Sequence, residues 1–229
     1  KKAIAIKPDF VEAFFNQGIT FQAQDQLSSA VKSYKDAITI NPDYFEALNN
    51  LGVALNSLGD IDEAINCYKS AIAIKPDYAE AHNNLGTIFA ELKQFKNAEE
   101  TFKQAILLNP KYAGAHYNLG NTLKDLRKIY EAEESFRKAI VINPNYTEAH
   151  NNLGNIMKSH DRLEDAEASY RKAIAINPDY AEAHNNLGNI MKSHDRLEDA
   201  EASYRKAIAI KPDYAQAYSN LGANLKNLG

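Results

Sequence analysis

Large apolar residues recur along this chain at helical steps of three and four, and the pattern breaks at even intervals. One stretch places His82, Leu85, Gly86 and Phe89 on a single helical face. The next places Ala98, Phe102, Ala105 and Ile106 on one face, with small residues among large ones. These spacings predict two amphipathic helices packed face to face. The glycine costs about 1 kcal/mol of helix propensity, so its place predicts a close approach of the partner helix. Pro110 follows the second stretch and ends it, because proline lacks an N–H and turns its predecessor away from helix.

The same unit returns along the whole chain. Prolines stand at 8, 42, 76, 110, 144, 178 and 212, always 34 residues apart, and glycines at 18, 52, 86, 120, 154, 188 and 222 keep the same step. The fold class this predicts is all-α, a solenoid of antiparallel helix pairs running over 1–229 as one array without linkers. Complete units are expected at 11–44, 45–78, 79–112, 113–146, 147–180 and 181–214. Residues 1–10 read as the end of an earlier second helix and 215–229 as a further, lone first helix. Tyr44, Tyr78, Tyr112, Tyr146, Tyr180 and Tyr214, two residues after the prolines, are expected to pack across the joints between units. Glu148–Ile176 is identical to Glu182–Ile210, which implies a recent duplication or deliberate construction.

A fixed 34-residue period with this spacing resembles the tetratricopeptide repeat (TPR). The family's outline can be followed as Leu48, Leu51-Gly52, Leu55, Ala64, Tyr68, Ala71 and Pro76. Gln17 departs from it in the first unit, and His82, His116, His150 and His184 take the usual Trp place. The resemblance implies a right-handed superhelix with first helices lining its concave side. In such a quasi-one-dimensional stack, function lies on the surface that stacking leaves free.

Composition narrows the function. With 26 Lys+Arg against 30 Asp+Glu, the net charge is -4, which disfavours nucleic acid as a partner. No apolar run approaches the roughly 18 residues that span a bilayer, so no membrane is expected. A single cysteine, Cys67, excludes a disulfide framework. Together with the lack of a signal-like segment it favours the cytoplasm. The chain begins at Lys1 inside an amphipathic pattern and reads as a piece of a longer protein.

No enzymatic activity, metal or cofactor is expected. The sequence has no phosphate loop, no GxSxG elbow and no HExxH. The four first-helix histidines are 34 residues apart, and helices packed about 8–10 Å apart cannot bring them to one metal. They read as polar-tipped fillers at an aromatic position. His160 and His194 read as surface residues near turns, and Cys67 as a small semi-buried residue. The charges of the second helices, such as Glu164, Asp165, Arg171 and Lys172, read as a solvated face.

One feature exceeds the packing pattern. Two residues before each repeated glycine stands asparagine: Asn16, Asn50, Asn84, Asn118, Asn152, Asn186 and Asn220. The position lies off the apolar stripe, so packing does not ask for Asn there. Asn121, Asn155 and Asn189 fall on the same side. A primary amide offers two donors and an acceptor, so a row of them can grip the backbone of an extended polypeptide with little sequence choice. Copying of one ancestral unit is the competing explanation. It suffices for the two identical units, whereas the first and second units have diverged widely and both hold Asn.

The ladder, with the phrase His-Asn-Asn-Leu-Gly, resembles the TPR region of O-GlcNAc transferase and its bacterial relatives. There the concave asparagines bind the backbone of protein substrates, and the resemblance extends that role to the seven asparagines here. It carries no catalysis, since the glycosyltransferase domain is absent. The carboxylate clamp of chaperone cochaperones resembles this chain less, because Glu12, Glu46, Glu80, Glu148 and Glu182 occupy the places its cations need. Cations recur later in the helices, at Lys124, Lys158, Lys192 and Lys226, and would draw acidic ligands to that part of the groove.

Three readings follow: a noncatalytic protein-binding scaffold, the targeting arm of a glycosyltransferase or other enzyme, and a self-assembling element. For the last, the apolar face of Tyr218, Leu221 and Leu225, and Ala3, Ile4 and Ile6 at the other end, predict weak end-to-end association.

Overall fold

The computed structural model describes residues 10–228, and among these there are α-helices and no strands. The expected end of an earlier helix at 1–10 falls, but for Phe10, outside the described residues. Contacts divide the chain into two compact units, one ending at Leu126 and the other starting at Arg127. The first holds α1 (Val11–Ala23), α2 (Leu27–Ile40), α3 (Phe45–Leu58), α4 (Ile61–Ile74), α5 (Ala79–Glu91), α6 (Phe95–Leu108) and α7 (Ala113–Asp125). The second holds α8 (Ile129–Ile142), α9 (Thr147–Ser159), α10 (Leu163–Ile176), α11 (Ala181–Ser193), α12 (Leu197–Ile210) and α13 (Ala215–Leu228). The fold is an all-α helical-repeat solenoid.

Within each unit every helix packs on the next, and each first helix also touches the first helix that follows, as α1 does α3 and α9 does α11. The first helices therefore make a continuous face in each unit. The repeated glycine explains the tight pairing. A Cβ built on Gly188 would lie 2.6 Å from the ring of Tyr204, and one on Gly52 would lie 2.7 Å from the ring of Tyr68. Both rings are buried. With a side chain at the glycine the aromatic could not slide beneath the first helix.

The connections are as regular as the helices. Each first helix that leads into a second is followed by a residue with left-handed φ: Asp25, Gly59, Lys93, Arg127, Asp161 and Asp195, with φ between 56° and 87°. The amide of the following residue returns to the helix, as Gln94 N–H does to the Phe89 carbonyl at 2.8 Å, which closes a Schellman turn. Only Gly59 meets this backbone without a steric cost. Second helices end before Asn-Pro or Lys-Pro. In the Asn cases the side chain closes the turn, as Asn177 Oδ1 accepts from the Asp179 N–H at 3.1 Å. Tyr44 stacks on Phe15 with ring centres 4.9 Å apart, and Tyr78 meets Phe45 edge-on at 5.0 Å. Both contacts lie within one repeat, joining the tyrosine at its end to the first helix at its start, rather than across the joint between repeats as expected.

The first-helix histidines do more than fill space. In each of the four, Nε2 hydrogen-bonds the carbonyl of the proline six residues earlier, at 3.1 Å for His82 and Pro76 and 2.9 Å for His184 and Pro178. The ring thus clasps the loop that enters its own helix. Cys67 is more buried than expected, at 7% exposure. Burial first, then the charge of Glu63, pushes its thiol up to about 11, so it stays protonated at neutral pH.

Candidate functional site

The ladder asparagines sit on the first-helix faces, and the structure corrects the view that packing asks nothing of them. Asn84 Nδ2 donates to Asn49 Oδ1 at 3.0 Å, and Asn118 Nδ2 to Asn83 Oδ1 at 3.1 Å. In the second unit Asn186 Nδ2 donates to Asn151 Oδ1 at 3.0 Å and to Asn155 Oδ1 at 3.3 Å, and Asn220 Nδ2 to Asn185 Oδ1 at 2.9 Å. Each acceptor belongs to the preceding repeat and, Asn155 apart, is the first Asn of an Asn-Asn pair. Asn49, Asn83, Asn151 and Asn185 are all buried, at 3–8% exposure. A buried amide oxygen needs a donor, and the ladder residue supplies it. The signal was in the sequence as the doubled Asn, but only stacking shows which member reaches which.

These bonds spend part of each ladder amide and set its direction. Asn84, Asn118 and Asn220 each have a second N–H beyond the inter-repeat bond. The Oδ1 of Asn118 and of Asn186 accepts no bond from the described residues. Asn16 is exposed on α1, while Asn50, Asn152 and Asn121 are half-buried.

Asn155 and Asn189 hold the aromatics that slide beneath the glycines. Tyr170 Oη donates to Asn155 Oδ1 and Tyr204 Oη to Asn189 Oδ1, both at 2.9 Å. Tyr34 Oη finds Gln22 Oε1 at 2.8 Å instead. Burial pushes the Tyr204 phenol up to about 12, so it remains a donor.

In the second unit the expected residues converge. Lys158, Asn186, Asn189, Lys192 and Asn220 line one open cleft of about 730 Å³, with Asn185, Ser193, Tyr214 and Gln216. Asn152 and Asn155 do not line it, and Asn16, Asn50, Asn84, Asn118, Asn121 and Lys124 belong to the first unit. A more apolar groove of about 460 Å³, with Ile174, Leu187 and Met191 in its wall, lies among α10, α11 and α12. Its rim residue Arg171 is already paired with Glu167.

The second-helix charges are not merely solvated. Arg162 joins Glu133 of the preceding repeat at 3.1 Å and its own Asp165 at 2.8 Å, and Arg196 repeats this with Glu167 and Asp199. Burial would raise the carboxyls of Glu133 and Glu167, but Arg137 with Arg162, and Arg171 with Arg196, outweigh it and hold both below 4.5. His160 is exposed as expected, whereas His194 is half-buried with Nε2 shut from solvent. Among the described residues no group of three or more His, Cys, Asp or Glu is placed to hold a metal. No described helix is long and apolar enough to cross a membrane.

A family model, the Cilia and flagella-associated protein 70 C-terminal domain, matches residues 22–228. The chain belongs to this TPR family. No curated protein matches it. Several solved TPR structures resemble it. YrrB, described as a TPR protein with an unusual peptide-binding site, superposes with a TM-score of 0.66 at 24% identity, over 82% of this chain and 97% of its own. Pseudomonas aeruginosa pilF reaches 0.84 at 18% identity, over 93% of this TPR chain and 97% of its own. MamA reaches 0.65 at 25% identity, over 72% and 97%.

Proposed function

We propose that this TPR array is a noncatalytic interaction scaffold that holds an extended polypeptide along its first-helix face. The observation that carries the reading is the inter-repeat amide bond. It pins Asn84, Asn118, Asn186 and Asn220 before any ligand arrives, so binding loses little side-chain entropy. At Asn118 and Asn186 the remaining acceptor suits a backbone N–H, and at Asn84, Asn118 and Asn220 the remaining N–H suits a backbone C=O. Recognition through main-chain groups places few demands on the ligand's side chains. YrrB, with the same fold, offers a precedent for a peptide site on such a scaffold.

The test begins with random twelve-residue peptides panned on the intact chain. The best binder is then titrated calorimetrically against wild type and a chain with Asn84, Asn118, Asn186 and Asn220 changed to Ala. Each lost hydrogen bond is worth about 0.5–1.5 kcal/mol, so the affinity is expected to fall at least about tenfold. Unchanged affinity with helicity intact would remove the ladder from the mechanism.

A further inference from the structure

We infer that the cleft between α9, α11 and α13 is a subsite for paired carboxylate side chains of a bound polypeptide, a reading that rests on the scaffold function above and gives it a chemical preference. The inference comes from counting which polar atoms of the cleft are already spent. Asn185 Oδ1 accepts from Asn220, Asn189 Oδ1 accepts from Tyr204, and Asn220 Oδ1 accepts from Gln216 Nε2 at 3.0 Å. Ser193 Oγ donates to the Asn189 carbonyl at 3.0 Å. The asparagine acceptors of the cleft are therefore largely engaged; Asn186 Oδ1 and Gln216 Oε1 are left over, with the hydroxyls of Ser193 and Tyr214. The donors are not. Asn189 Nδ2 makes no bond to any described residue, and neither Lys158 nor Lys192 lies within ion-pair distance of a carboxylate among them. No Asp or Glu lines the cleft; Glu182, earlier on α11, faces Lys211 at 3.9 Å.

A site with two unpaired ammonium groups, free amide N–H groups and no carboxylate calls for an anionic ligand that accepts. A carboxylate does so, and charge-assisted bonds of this type are the stronger ones. The remaining Asn186 acceptor suits a backbone N–H of the same ligand. The two lysines stand on first helices that touch, and helices in contact lie about 8–10 Å apart. An extended segment of the polyproline-II type advances about 9 Å in three residues and brings every third side chain back to the same side. Acidic residues at positions i and i+3 of an extended segment match that step.

The experiment uses fluorescein-labelled twelve-residue Gly-Ser peptides with Asp at positions 5 and 8, with Lys there, or with Ser throughout. They are titrated by anisotropy at low ionic strength into wild type and into the Lys158→Gln/Lys192→Gln double variant. The Asp peptide is expected to bind roughly tenfold tighter than the Ser peptide, with the advantage fading as salt rises. The double variant should lose this advantage and leave the Ser peptide unchanged. If the Ser peptide binds wild type and the Asp pair adds nothing, the carboxylate subsite is wrong while the scaffold reading survives. A preference for Asp that persists in the double variant also overturns it. If no peptide binds and the panned binder fails as well, both readings fall.

Discussion

On the first-helix face of the second unit, Asn186 reaches back 35 residues to Asn151; on the second-helix face, Arg196 reaches back 29 residues to Glu167. Both contacts join successive repeats, and they differ in what they leave behind when broken. Asn151 is 5% exposed, so losing its donor strands an amide oxygen away from water. Glu167 keeps Arg171 and some contact with solvent, so losing Arg196 strands nothing. The periodicity is shared, but burial decides that the amide row is a rigid element and the charged row an adjustable one. A rigid row of half-used amides is what a main-chain reader requires.

The largest expected effect lies beneath the amide row. Gly188→Ala drives a Cβ into Tyr204, whose hydroxyl Asn189 holds, and should cost up to about 3 kcal/mol. The same change at Gly222 meets no heavy atom within 4 Å, so it should stabilise by up to about 1 kcal/mol through helix propensity alone. Urea melts of the two variants check the opposite signs. Equal effects would mean that the glycine-aromatic fit does not set the first-helix face.

Next comes the amide bond itself. Asn186→Ala leaves Asn151 Oδ1 without its donor and should cost about 1–3 kcal/mol, despite the better helix former. Asn16→Ala, on an exposed residue, should change stability little. Similar losses at the two sites in chemical melts would contradict the burial argument.

The charged face should respond least and in a different manner. Arg196→Ala should give a small loss that vanishes near about 1 M salt, whereas the Asn186→Ala loss should persist. Acid should act on this face first. Glu133 and Glu167 have carboxyls held below 4.5 in the folded chain, so their contribution is full above that pH and shrinks as pH falls below it. Glu167→Gln should flatten the acid limb of the stability curve, measured between pH 6 and pH 3; an unchanged limb would exclude the ion pairs as its source.

Much of this was legible in the residues. The 34-residue prolines and glycines announce the helix pairs, and the glycine at each first helix already implied a close partner helix, though not that an aromatic ring fills the gap. The function of the doubled asparagines was half legible. Their side of the helix follows from spacing, but a partner 35 residues away depends on how repeats stack, which no local pattern contains. The histidine clasp and the arginine pairs were missed for the same reason: a ring read as filler and charges read as solvated acquire partners only when the loop or neighbouring repeat is in place. The left-handed residue between paired helices was hidden because only Gly59 marks it by type, while Asp25, Lys93, Arg127, Asp161 and Asp195 do not.

The central claim, that a polypeptide lies on the amide face, is tested most directly by side-chain amide NMR. A chain labelled with ¹⁵N-asparagine is titrated with the panned peptide, and the Nδ2 signals are assigned by single Asn→Asp substitutions. The account predicts that Asn186, Asn189 and Asn220 shift together, while Asn66 and Asn97, exposed on second helices, stay in place. Shifts confined to Asn66 and Asn97, with the ladder signals unmoved, would contradict it.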